Sequence, residues 1–302
     1  MVQIREIDPQ EFGSRDTAPA AEGVARVTAA ADAADGVSSL NEQATLLLKN
    51  RGLRDARLWM AEDDAGRAVG FALLHGPLLD LVVHPDARRQ GIGTTLAADA
   101  LAKVDRVEAW SHGDHPGAAR LAERFGLARE RELLIMRRPT SSPLPAAEIP
   151  PGVRIRTFTP ADEPSVLAVN AAAFAHHPEQ GDLTYEDFRE RRDEPWFDPE
   201  GLFLAVPDDA PSPGDDGFEL LGFHWTKVHA HEDPPYGEVY VVAVNPRAAG
   251  RGLGSLLTNV GLRHLAEQGL DEVILYVDGD NEPAIALYER AGFTLARTEA
   301  QY

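Results

Sequence analysis

Hydrophobic positions in the second half of the chain switch repeatedly between two periods. Residues 153–158 alternate apolar and polar, which predicts a strand, and 164–174 place apolar residues at helical spacing. Two more strands are predicted at 202–206 and 220–228, on either side of a turn-rich stretch at 207–217. A β-branched run follows at 238–244, then a helix over 253–268 that Gly269 closes. A strand at 272–277 leads to a helix at 283–290, stopped by Ala291-Gly292, and 293–297 begins another strand. Helices and strands interleaved in this way predict an α/β (α+β) architecture with an open, mixed sheet.

Between the halves the pattern stops. Pro139, Pro143, Pro145, Pro150 and Pro151 cannot share a helix or a central strand, so 140–152 reads as a linker. It separates an N-terminal domain at 1–139 from a C-terminal domain at 153–302. The two halves also repeat one another. Leu81-Val82-Val83-His84-Pro85, running on to Arg89-Gln90-Gly91-Ile92-Gly93-Thr94, aligns without a gap to Val242-Ala243-Val244-Asn245-Pro246 and Gly250-Arg251-Gly252-Leu253-Gly254-Ser255, at an offset of 161 residues. Later, Glu123-Arg124-Phe125-Gly126-Leu127 matches Glu289-Arg290-Ala291-Gly292-Phe293. A repeat of domain size implies duplication of one fold.

The repeated loop is where chemistry enters. It sits between a buried strand and a helix, and its glycines let the backbone approach a ligand without obstruction by a Cβ. N–H groups at the following helix N-terminus make an anion site, and Arg251 adds a charge-assisted donor for a phosphate. A P-loop or a dinucleotide-binding turn uses similar physics. This sequence lacks the Gly-Lys-Ser/Thr ending of the first and the early βαβ setting of the second.

Composition narrows the choice. With 302 residues the chain is long enough for two domains with separate cores, and its 43% hydrophobic and 26% charged residues are those of a globular protein. No run approaches the ~18 apolar residues of a membrane helix, and the first residues have no apolar signal core, so a cytoplasmic protein without a membrane partner is expected. The absence of cysteine excludes disulfides, thiolate metal sites and a cysteine-linked acyl intermediate. A formal charge of −20 argues against nucleic acid as a partner, and it would draw in a cationic acceptor. Histidines at 176, 177, 224, 229 and 231 match no metal-ligand spacing, so no metal is expected.

Arg251-Gly252-Leu253-Gly254 after a strand resembles the pyrophosphate-binding signature of the GNAT acetyltransferases, as does Arg89-Gln90-Gly91-Ile92-Gly93. The run from Asn281-Glu282-Pro283-Ala284-Ile285-Ala286-Leu287-Tyr288 to Phe293 resembles a later motif of that superfamily. A narrower resemblance, to the actinobacterial mycothiol synthase family, is carried by Gly222-Phe223-His224-Trp225-Thr226-Lys227-Val228-His229, Gly237-Glu238-Val239-Tyr240-Val241-Val242, His177-Pro178-Glu179-Gln180-Gly181 and Trp196-Phe197-Asp198-Pro199. It implies two tandem GNAT domains, each a mixed, mostly antiparallel sheet flanked by helices. It also implies a monomer that acetylates the cysteinyl amine of cysteinyl-glucosaminyl-inositol from acetyl-CoA, the last step of mycothiol synthesis. Two other activities stay open at this point: acetylation of another amine, such as a protein N-terminus or an aminoglycoside, and acetyl-CoA binding by a non-catalytic regulator.

The resemblance also assigns roles. Glu238 becomes the general base; from the residues alone, a surface glutamate at a strand end is the plainer reading. Tyr288 becomes the general acid, although a tyrosine packed in the core is the alternative. Val242, Ala243 and Val244 are expected along the pantetheine arm. Ala249, Gly250, Arg251, Gly252, Leu253, Gly254 and Ser255 are expected to hold the pyrophosphate, and Asn281, Glu282, Pro283, Ala284, Ile285 and Ala286 to line the CoA wall. In the first half, Leu81, Val82, Val83, Arg89, Gln90, Gly91, Ile92, Gly93 and Thr94 take the corresponding cofactor positions. Acceptor contacts fall on Glu42, Glu179, Lys227, Glu238 and Tyr276, with Glu42 bringing the first half into play. The offsets of 161 and 166 place Pro77 opposite Glu238 and Ala122 opposite Tyr288, so the N-terminal half is expected to be inactive unless His84, His112 or His115 serves as a base.

Overall fold

In the computed structural model, which describes residues 2–12, 19–146, 148–213, 215 and 218–302 without the side chains of Pro178 and Glu179, the chain divides into two units. The first comprises Met1–Leu133 and Thr298–Tyr302, the second Leu134–Arg297.

The first unit runs β1 (Gln3–Glu6), α1 (Pro9–Phe12), α2 (Pro19–Asp35), α3 (Glu42–Leu46), β2 (Ala56–Glu62), β3 (Ala68–His75), β4 (Leu78–Val83), α4 (Ile92–Leu101), β5 (Trp110–Ser111) and α5 (Pro116–Phe125). It also takes the start of β6 (Arg131–Pro139). Strands β1 to β4 form an antiparallel meander. Alternate residues of β2 serve opposite faces: Leu58 and Met60 pack with Val24, Val27 and Ala31 of α2, while Trp59 and Ala61 pack with Ile92, Leu96 and Ala100 of α4. Because both faces are covered, β2 and β3 read as nearly continuous apolar runs.

The second unit runs β7 (Val153–Thr157), α6 (Glu163–Ala173), α7 (Pro178–Gly181), α8 (Tyr185–Arg192), β8 (Leu202–Pro207), β9 (Gly222–His229), β10 (Tyr236–Val244), α9 (Leu253–Glu267), β11 (Glu272–Asp278), α10 (Glu282–Arg290) and β12 (Thr294–Gln301) up to Arg297. From β7 to β10 neighbouring strands are antiparallel; β10 and β11 are parallel. One face of β9, with Phe223 and Trp225, packs with Phe188 of α8 and Val166 and Val169 of α6. The other face meets α9.

These units differ from the division the proline-rich segment suggests. Residues 134–139 belong with the second unit because Leu134 and Met136 pack with Val273, Leu275 and Phe293. Thr140 is tied there too, its hydroxyl donating to the Leu270 carbonyl at 2.5 Å. At the other end, Ala300 and Gln301 pair with Ser111 and Trp110, and Tyr302 exchanges two backbone hydrogen bonds with Ala109. Proline density is a local signal, whereas membership of a unit is decided by pairing between residues far apart in sequence.

Contact between β9 and α9 fixes two otherwise puzzling residues. His224 is fully buried, and its Nδ1 contacts the Leu257 carbonyl at 2.7 Å. Its ring lies against Gly261, where any Cβ would overlap the imidazole. Glycine inside a helix is unfavourable by about 1 kcal/mol, and here close approach of the ring requires it. Burial pushes the His224 ring down to about 4 from an ordinary 6.5; the bond to Leu257 opposes the shift and His264 adds to it.

Two outcomes follow. Gly261→Ala should destabilise the protein by at least about 1–3 kcal/mol, read from the denaturant midpoint, and an unchanged midpoint would contradict the packing described. The second concerns pH. Between about 6.5 and about 4 the unfolded chain protonates His224 while the folded protein does not. The stabilising preference for the neutral ring is therefore complete above about 6.5 and is lost as pH falls toward 4, on the order of 3 kcal/mol in all. Denaturation across this range should show a shallower pH dependence for His224→Leu than for the wild-type chain; equal slopes would remove His224 from this role.

Candidate active site

The site of the second unit is built where β10 parts from its neighbour. Along its whole length β10 pairs with β9, but it pairs with β11 only over Gly237–Val239 against Val273–Leu275. Beyond that point the backbone of residues 240–244 is left beside the end of β11. A bulge marks the departure: Thr226 pairs with Val239 and Trp225 with Val241, which makes Tyr240 the extra residue. The bulge turns Val241 and Ala243 toward Trp225 and Phe223, and Val242 and Val244 toward α9. The expected pantetheine positions Val242, Ala243 and Val244 thus lie on an open strand edge, which an extended amide chain can pair with.

After β10, Asn245 caps a short turn, its Oδ1 accepting from the Arg247 N–H at 3.0 Å. The chain then passes through Ala249, Gly250, Arg251 and Gly252 into α9. Gly250 and Gly252 have φ of +80° and +76°, and a Cβ on either would meet nothing, so backbone conformation selects glycine here. No side chain caps α9 at Gly252, which leaves the first-turn N–H groups of Leu253, Gly254 and Ser255 for an anion. Gly254 is close to Leu287 of α10, and its Cβ would stand 3.3 Å from that side chain. Asn281 caps α10 by accepting from the Ala284 N–H at 3.2 Å; Glu282 and Pro283 are exposed, and Ala284, Ile285 and Ala286 are part-buried. An open strand edge, an uncapped glycine-led helix and a facing helix fit a pantetheine-pyrophosphate group.

Lys227 and Glu238 are register partners on β9 and β10, so their side chains share a face. The Lys227 ammonium lies 4.5 Å from the Trp196 ring centroid and 5.2 Å from that of Tyr240. Arg191 Nε donates to the Tyr240 hydroxyl at 2.8 Å. Glu238 is buried, and its Oε2 is 2.6 Å from His229 Nε2. Tyr288 packs edge-on against Phe293, and burial pushes its phenol up to about 12. Tyr276 is exposed on β11. The side chain of Glu179 lies outside the described residues. Its neighbour His177 holds Asp278, at the end of β11, at 3.0 Å. Glu42 begins α3 in the first unit, where Asn41 caps the helix. Sequence patterning gave no role to His229, Trp196 or Tyr240, although all three lie inside its quoted motifs. A signal was present for His229: it stands two residues from Lys227 on one strand, as Tyr236 stands two residues from Glu238 on the next.

In the first unit the corresponding loop opens on a cavity of about 950 Å³ lined by Leu81, Val82, Val83, Arg89, Gly91, Ile92, Gly93 and Thr94. Gln90 is not in the lining; its amide reaches the Asp86 carbonyl at 3.4 Å. Arg89 occupies the place of Gly250 with φ +64°, so both loops share one backbone path. Ala122 is buried in α5. His84 and His115 act as caps, accepting from the Asp86 and Gly117 N–H groups at 3.3 and 3.0 Å, and His112 pairs with Glu299 at 2.8 Å. Among the described residues no helix is long and apolar enough to cross a membrane, and no group of three or more His, Asp or Glu side chains converges to hold a metal.

The model of the acetyltransferase (GNAT) family matches residues 169–293, and that of an acetyltransferase (GNAT) domain matches 54–126. Among solved structures, a GCN5-related N-acetyltransferase from Sphaerobacter thermophilus is similar with a TM-score of 0.66 at 25% identity, covering 99% of this chain and 94% of that one. A tandem GNAT protein from the clavulanic acid biosynthesis pathway gives 0.69 at 21% identity, covering 100% and 97%. The chain is 50% identical over 293 residues to a mycothiol acetyltransferase of Nocardioides sp., covering 92% of this chain and 96% of that one. It is 49% identical over 296 residues to a mycothiol acetyltransferase of Thermobispora bispora, covering 95% and 97%. With two GNAT domains and relatives of this identity along nearly its whole length, the chain belongs to the mycothiol acetyltransferase family and is an acetyl-CoA-dependent N-acetyltransferase.

Proposed function

We propose that the second unit acetylates the cysteinyl amine of cysteinyl-glucosaminyl-inositol, with Glu238 as general base and Tyr288 as donor to the leaving sulfur. The observation that carries this reading is Glu238 itself: a buried carboxylate beside Lys227, on the one strand that leads into the glycine loop. Acetyl-CoA, when bound, supplies the acetyl group as a thioester.

An α-amine has an ordinary pKa of about 8 and arrives mostly protonated. Glu238 removes that proton, the free amine forms its N–C bond as the C–S bond breaks, and the second proton that the nitrogen must lose goes to the departing thiolate or to solvent. Backbone N–H groups at the Tyr240 bulge, on the edge that β11 has left, polarise the thioester carbonyl. Tyr288, with its phenol held at about 12, stays protonated at neutral pH and donates a hydrogen bond to the departing sulfur. Full transfer of its proton to a thiolate, whose ordinary conjugate acid is near 8.5, is uphill; stabilisation by a hydrogen bond is the smaller demand. Lys227, Tyr276 and Glu179 are assigned to acceptor hydroxyls and amide. The reaction is placed in the cytoplasm with acetyl-CoA and a small amine as the partners, in a monomer.

The first unit keeps the anion loop and a cavity of about 950 Å³ but has Pro77 and Ala122 where the base and the acid would stand. Two of its three candidate histidines serve as helix caps. We assign it CoA binding without acetyl transfer.

Incubation with acetyl-CoA and a panel of amines should release CoA with cysteinyl-glucosaminyl-inositol. Turnover of a peptide or aminoglycoside in its place would move the activity to another acceptor. Glu238→Gln should lower kcat/KM by about 10²–10⁴-fold with acetyl-CoA affinity nearly intact, and Tyr288→Phe should lower kcat; wild-type rates in either variant remove that residue from its role. In the double variant acetylation should vanish. Residual activity that disappears when Gly91 and Gly93 are replaced by leucine would instead reveal a working site in the first unit.

A further inference from the structure

We propose that His229 is a positioning residue for the transfer, acting through Glu238. The inference rests on the reading of Glu238 as the base. His229 ends β9 and Glu238 lies near the start of β10; the 2.6 Å contact joins Nε2 of one to Oε2 of the other across the hairpin. Among the described residues His229 is the one side-chain hydrogen-bond partner of this carboxylate. A buried carboxylate on a flexible two-carbon stem has several rotamers, and a general base needs one of them. With Nε2–H donating to Oε2, the rotamer is fixed and Oε1 is left to accept the amine proton.

The ring that does this is itself held. It stacks on Tyr236, with centroids 4.3 Å apart and planes 21° from parallel, and Tyr236 is its register partner across the hairpin. The Tyr236 phenol is pushed up to about 12, first by burial and then by the charges of Glu238 and Glu232, with Arg297 opposing, so it stays neutral at working pH. Lys227 is the register partner of Glu238, with its ammonium over the Trp196 and Tyr240 rings. The charged and titratable groups on this face are Lys227 on β9, Tyr236 on β10, and Glu272, Tyr276 and Asp278 on β11, with Glu232 and Arg297 acting on Tyr236. A histidine needed only to fill space would not require a carboxylate at hydrogen-bond distance on one edge and an aromatic ring on its face.

The test compares four proteins: wild type, His229→Leu, His229→Gln and Glu238→Gln, with His229→Leu also made in the Glu238→Gln background. His229→Leu keeps an apolar side chain on Tyr236 and loses the donor. Its kcat should fall about 10- to 100-fold, part of the factor a positioned base supplies, while the acetyl-CoA Kd holds. His229→Gln places an amide N–H near the position of Nε2 and should recover most of the loss. In the Glu238→Gln background His229→Leu should cost nothing more, since the residue acts through that carboxylate. Equal losses in both backgrounds, or a Gln variant as impaired as Leu, would mean that His229 only supports the hairpin and would overturn the proposal. So would an unaltered kcat in His229→Leu while Glu238→Gln is inactive. If Glu238→Gln turns over normally, the base assignment fails first and the role of His229 goes with it. Should His229→Leu fold poorly, His229→Phe takes its place, an apolar ring that can stack on Tyr236 without a donor, and the same outcomes apply.

Discussion

Strand β10 holds one neighbour along its whole length and releases the other after three residues. An unpaired stretch of strand inside a protein is costly unless its N–H and C=O groups find other partners, water or a ligand among them. Under the proposed function the second unit meets that cost by offering the stretch to the acetyl donor. The bulge at Tyr240 turns the ladder there, the glycine loop starts where the edge ends, and α9 and α10 close on either side. Glu238 and Lys227 sit just before the point of release, on rigid paired backbone. The residues proposed for chemistry are therefore carried by the ladder, and those proposed for holding the donor by what lies past its end.

Much of this was legible in the sequence, and the reasons are specific. The β-branched run at 238–244, the helix closed at Gly269 and the glycine pair Gly250 and Gly252 are local signals, and the structure has each of these elements within a few residues of its expected place. The tandem GNAT reading stood on motifs with fixed offsets and is the family found. What sequence patterning did not contain is the pairing between distant segments. Helices α7 and α8 are short and polar, with no apolar period to announce them. The bulge at Tyr240 looks like any residue of a strand. The His229–Glu238 contact depends on a hairpin register that a long, turn-rich approach from residue 230 to residue 235 does not specify.

Duplication left the two units with one scaffold and different side chains on it. His84 caps where Asn245 caps, and His115 where Asn281 caps: an imidazole nitrogen and an amide oxygen accept from a backbone N–H two or three residues on. Arg89 tolerates a left-handed backbone that Gly250 adopts freely, a strain of about 1–2 kcal/mol kept in the first unit. The loop path persisted while the groups around it changed, as expected if backbone geometry alone serves to hold an anion.

The first unit is not contiguous in sequence: Thr298–Tyr302, made after every residue of the second, pair with Trp110 and Ser111 beside its cavity. A ribosome delivers residues in order, so during synthesis the first unit must wait with an open sheet edge while the second is threaded out. Its last hydrogen bonds form only after residues 298–302 have been added. A chain that stalls just before residue 298 carries every residue of the second unit and a first unit still missing the segment that pairs with Trp110 and Ser111.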